Sequence, residues 1–111
     1  MAVILKAEEI PVRQVGEGWK ETTIADSQTV GTPAMVARRW SLAPGACGPE
    51  VEHGETEEIL YVIEGSGAAL VGDQRHALGK ESMLWLSPGD RFQLEAGEQG
   101  LEVLQAYAPG E

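Results

Sequence analysis

Cysteine occurs once in these 111 residues, phenylalanine once and histidine twice. A lone Cys47 excludes an intrachain disulfide, so the fold must be held by an apolar core. No hydrophobic run approaches the roughly 20 residues of a membrane helix. Basic residues are also scarce: 8 Lys and Arg stand against 18 Asp and Glu, a formal charge of −10. Such a surface repels phosphate backbones and anionic lipid, which argues against nucleic-acid and membrane partners. The opening Met-Ala-Val-Ile-Leu-Lys is too short for a signal-peptide core, and Glu8 and Glu9 follow at once. One thiol and no such signal make the cytoplasm the expected compartment.

A sustained helical period is missing as well. What is present is a series of short β-prone pieces separated by Gly, Pro and Asp turns. Val3–Leu5 and Pro11–Val15 are two such pieces, expected to form an edge strand and linker. Lys20–Ala25 (KETTIA) reads as a strand, since threonine and isoleucine suit a pleated surface. Met35–Leu42 (MVARRWSL) alternates, with Val36, Arg38, Trp40 and Leu42 on one face. If that face is buried, Arg38 points into the interior or sits at its mouth, and Arg39 is solvated. Gly72-Asp73 is a two-residue hairpin signal, and Met83–Leu86 (MLWL) reads as a strand covered on both faces. Turns are expected at Asp26–Gln28 and a loop at Gly97–Gly100. About nine or ten strands result, a pattern that argues for an all-β sandwich or barrel. The length predicts one domain, 1–111, with 1–34 as N-terminal strands and arm.

The most informative stretch is Gly45–Gly65. Its spacing places Val51, His53 and Glu58 between two glycines. It resembles the first motif of the cupin superfamily, G-x5-H-x-H-x4-E-x6-G, in every gap, with Val51 in the first histidine's place. A second stretch is similar to that family's G-x5-P-x-G-x2-H motif. There Glu81 stands for the leading glycine, Ser87 for the proline and Phe92 for the last histidine. The resemblance covers residues 42–107. It implies a double-stranded β-helix, or jelly-roll, barrel.

In that family three histidines and a glutamate hold Fe, Mn, Zn, Ni or Cu. Here the four positions read Val51, His53, Glu58 and Phe92, and two ligands seldom retain a metal against water. The resemblance therefore implies no cofactor, with a divalent transition metal the minor alternative. Glu50, Glu55, Glu57 and Cys47 are the candidate replacement ligands, although the three acids read first as a solvated rim and Cys47 is expected to be buried; Glu52 faces away on an extended strand. His76 reads as a surface or strand-pairing histidine. A carboxylate inside a barrel needs a partner, so Glu58 is expected to be buried against His53 or Arg38. Leu60 and Val62 share its face. Ile59, Tyr61 and Ile63 face outward, and covering them predicts a homodimer. Trp19, Trp40 and Trp85 are expected chiefly in the core.

Three functional classes remain open from the sequence. The first is a small-molecule binder whose mouth is lined by Val51, Phe92, Trp40, Arg38, Leu60 and Val62, with His53 and Glu58 orienting the ligand. The second is an enzyme, either a metal-dependent oxygenase or isomerase, or a metal-free one using His53 and Glu58 for proton transfer. The third is a structural or regulatory dimer with a vestigial site.

Overall fold

The structure, a computed structural model, describes residues 4–31, 35–48, 50–52 and 56–108. It is built on strands β1 (Val12–Gly16), β2 (Trp19–Ala25), β3 (Val36–Leu42), β4 (Val51–Glu52), β5 (Glu58–Val71), β6 (Gln74–Leu78), β7 (Met83–Leu86) and β8 (Arg91–Tyr107). All pairings between them are antiparallel, in the order β1-β2-β3-β8-β5-β6, with β4 on β8 and β7 on β5.

Two strands serve both walls of the barrel. The end of β8 lies between β3 and the start of β5, whereas its beginning pairs with β4 and the end of β5. Long shared strands were not legible in the sequence. Gly65–Gly67, where the first motif ends, and the expected loop at Gly97–Gly100 both lie within continuous strand. Glycine explains the difference. Gly65 has φ 87, and a Cβ there would lie 2.2 Å from the Gly100 carbonyl oxygen. Only glycine permits that bend and close approach, so the paired strands turn the barrel corner together, with a register shift at Gly65/Gly67.

The second motif keeps its shape despite its substitution. Glu81, at the leading glycine's place, has φ 70, the left-handed conformation that favours glycine.

Elsewhere the local expectations need smaller adjustment. Strand β1 is an edge strand of the sheet, as its polar, exposed sequence suggests. Ile4 and Leu5 are not strand, and Val3 lies outside the described residues. Ser27–Val30 forms one helical turn (α1) where a turn is expected, with the Asp26 carboxylate accepting from the Gln28 N–H.

The core lies between the two walls. Trp19, Trp40, Leu42, Phe92, Leu94 and Val103 are buried in one cluster that draws on both. Trp19 meets Trp40 edge-on at 5.1 Å, and Trp40 stacks on Phe92 at 6.2 Å. Trp85 does not join them. It is 56% exposed and Met83 55%, so β7 is covered on one face only, contrary to its reading as a strand covered on both. As an end strand paired with β5, it buries Leu86 inward and turns Trp85 outward.

A polar layer inside the barrel

Cross-strand register explains how the interior is organised. On β3 the even face is the buried one, so Arg38 points inward and is half-buried. Its neighbour on β8 is Gln105, whose neighbour on β5 is Leu60. One row further, Tyr107 stands beside Glu58. Toward the other end come Trp40, Val103 and Val62, then Leu42 and Leu101. The interior is thus polar at one end and apolar at the other.

Glu58 is fully buried, with 1% exposure, and accepts a hydrogen bond from the Gln105 amide through Oε2. Of its two expected partners, His53 lies outside the described residues. Arg38 is engaged elsewhere: its Nη1 donates to the Tyr107 hydroxyl at 3.2 Å and its Nε lies 3.8 Å from Glu21 Oε1. The reason is register, since Gln105 stands between Arg38 and β5. The expectation of a buried Glu58 therefore holds, and Gln105 supplies the contact sought from Arg38.

Glu21 is the second buried carboxylate. It accepts from Trp40 Nε1 at 2.9 Å and from Arg13 Nε at 3.0 Å. Buried charge is tolerated only when paired and hydrogen-bonded, and these donors satisfy that condition. Sequence reasoning missed Glu21, Gln105 and Tyr107. The signal was available in the period-2 pattern: Glu21 shares a face with Trp19, and Gln105 and Tyr107 share one with Leu101 and Val103.

The hydrocarbon side chains at the family's ligand positions are part of the packing. Val51 and Phe92 are register partners across β4 and β8. Phe92 is 1% exposed and stacked on Trp40, and Val51 packs half-buried against the same cluster. Leu60 and Val62 face inward, fully buried. Neither Val51 nor Phe92 offers a lone pair, so this donor set does not fit a centre of three histidines and a carboxylate. Among the described residues no group of three His, Cys, Asp or Glu comes together to hold an ion.

The candidate replacement ligands that the structure describes are engaged elsewhere. Glu50 faces Arg91 at 3.7 Å, and Glu57 accepts from the Trp85 indole. Glu55 lies outside the described residues, as does the side chain of Glu52. Cys47 is exposed rather than buried, and its thiol accepts from Gln93 Nε2 at 3.1 Å. Residues 46–48 pair with the edge of β8 through the Ala46 carbonyl and the Gly48 N–H. Gly48 packs directly on the Trp19 ring, which turns the intervening Cys47 outward. His76 is exposed on β6, paired with Ala69.

A bent antiparallel barrel with this layered interior is a cupin jelly roll. Residues 33–111 match the family model of the AraC-like ligand binding domain, and the chain belongs to that family. Among solved structures it is similar to KdgF from Halomonas sp. (18% identity, TM-score 0.82, covering 100% of this chain and 96% of that one). It is also similar to an RmlC-like cupin from Shewanella frigidimarina (16%, 0.81, 100% and 94%). A predicted oxalate decarboxylase from Thermotoga maritima gives 17% and 0.81, over 96% and 98%. Identities this low carry the fold alone. No curated protein matches the sequence.

Proposed function

We propose that the chain binds a small organic molecule at the polar end of its barrel and does so without a complete metal centre. The supporting observation is the layer itself: Glu58, Gln105, Arg38, Tyr107 and Glu21 gather above Trp40 and Phe92. A few convergent polar groups over an apolar, aromatic floor are what orient and desolvate a small ligand. In this reading Arg38 and Glu58 orient the ligand together with His53. Val51, Phe92, Trp40, Leu60 and Val62 form the wall beneath.

Elemental analysis and ligand-dependent thermal shifts test this directly. Substoichiometric metal, together with stabilisation by small molecules that is lost in Arg38→Ala, is the expected result. Stoichiometric metal that disappears in His53→Ala would overturn it in favour of a metal-dependent oxygenase or isomerase. Turnover lost in both His53→Ala and Glu58→Gln, without metal, would turn the binder into a proton-transfer enzyme.

The partner we propose for the outer face is a second copy of the chain. Ile59 pairs with Trp85 and Ala106, and Tyr61 with Met83 and Leu104, giving an apolar surface across β8, β5 and β7. An apolar depression of about 310 Å³ lies at its edge, bounded by Met35, Ile59, Trp85 and Tyr107. Beside it Arg39 is paired with Glu102 at 3.3 Å, and Glu57 at the rim of the depression accepts from the Trp85 indole. An exposed free thiol suits a reducing compartment, and we place the protein in the cytoplasm.

A further inference from the structure

Gln105 is 95% buried on the inner face of β8, in register with Arg38. Its Nε2 donates to Glu58 Oε2, while its Oε1 is buried with no hydrogen-bond partner among the described residues. A carboxylate accepts and cannot donate, so Glu58 fixes which way the amide points. The carbonyl oxygen must face away from Glu58, still in need of a donor. A buried acceptor left unpaired costs about ten- to a hundredfold in an equilibrium constant.

We propose that Gln105 contacts the ligand and selects for a neutral hydrogen-bond donor, a hydroxyl or amide N–H, against a carboxylate. This rests on the reading that the polar end of the barrel binds a small organic molecule. The arginine nearest to Gln105 is already engaged. Arg38 is the one cation of the described inner layer and already faces Glu21 at 3.8 Å, while Glu58 is a second buried carboxylate. Arg13 reaches Glu21 from outside, with its side chain 72% exposed. A ligand carboxylate brought to Gln105 would meet a carbonyl oxygen, which can only accept. A neutral donor would satisfy Oε1 and add no charge.

The test uses isosteric pairs of neutral amide and acid: benzamide against benzoate, and lactamide against lactate. Dissociation constants come from tryptophan emission and ligand-detected saturation transfer. In the native protein the amide should bind roughly tenfold or more tighter than its acid. Gln105→Met should remove that preference by weakening the amide. Glu58→Gln, nearly isosteric, frees the Gln105 amide to turn and should narrow the ratio. Acids binding as tightly as amides, or an unchanged ratio in Gln105→Met, would overturn the assignment and leave the binding reading intact. If Gln105→Met does not fold, an unchanged ratio in Glu58→Gln overturns it equally. Failure of every probe to bind would overturn the binding reading itself, and this inference with it.

Discussion

Removing the Glu21 carboxylate should destabilise the barrel far more than removing the arginine that pairs with it. In Glu21→Ala the Trp40 indole N–H, on a side chain 4% exposed, loses its acceptor at 2.9 Å. An unsatisfied buried donor costs about 1–3 kcal/mol. Arg38, 26% exposed along its side chain, loses its facing carboxylate; after solvent screening that adds less than about 1 kcal/mol. Arg13 is 72% exposed and adds little. The total is roughly 1–4 kcal/mol, a large share of the about 5–15 kcal/mol that holds a domain together. Thermal unfolding should fall by roughly 5–20 °C on that basis. Glu21→Gln keeps an acceptor for the indole and should cost about 1 kcal/mol. Arg13→Ala should stay within about 0.5 kcal/mol of the native protein. Urea unfolding with matched m-values measures all three. The reasoning is refuted if Glu21→Ala unfolds within about 0.5 kcal/mol of native, or if Arg13→Ala costs as much.

Other parts of the molecule give further tests. Gly65→Ala must place a Cβ 2.2 Å from the Gly100 carbonyl at φ 87, and should lose at least about 3 kcal/mol or fail to fold. The opposite sign is expected at the exposed Glu81, with φ 70. Glu81→Gly should gain roughly 0.5–1 kcal/mol, relief of left-handed strain exceeding the added chain entropy, and a loss of stability would contradict this. Tyr61→Lys with Trp85→Lys should shift sedimentation from dimer to monomer without moving the unfolding baseline of the monomer; an unchanged mass would place any interface elsewhere. Native Cys47 should react with a thiol reagent without denaturant, and a thiol that titrates only after unfolding would contradict its exposure.

The elements most legible in the sequence were those whose cause is local. Turn chemistry at Gly72-Asp73 placed the β5–β6 hairpin, and alternation in Met35–Leu42 identified the buried face of β3. Motif spacing from Gly45 to Gly65 and on to Phe92 named the cupin barrel. It also showed that Val51 and Phe92 cannot serve as metal ligands. These are properties of residue type and interval, and they survive without knowing which strands are neighbours.

Everything that depends on neighbours had to come from the tertiary structure. Glycine pairs that look like breaks in one dimension became bends inside two long strands, because each glycine fits against the carbonyl of the strand beside it. Trp85 carries the same side chain as Trp40, yet pairing at the end of a wall exposes it while the centre buries Trp40. Arg38 was correctly placed inward, but its partners follow from cross-strand register: Glu21 lies 17 positions before it by its number, and Tyr107 lies 69 positions after it. The polar layer is likewise assembled from β2, β3, β5 and β8, and no single strand carries enough of it to be recognised. Residue type and spacing determined the barrel and put hydrocarbon side chains at Val51 and Phe92. Cross-strand register determined which buried polar groups meet, because hydrogen bonds and desolvation act through space rather than along the chain.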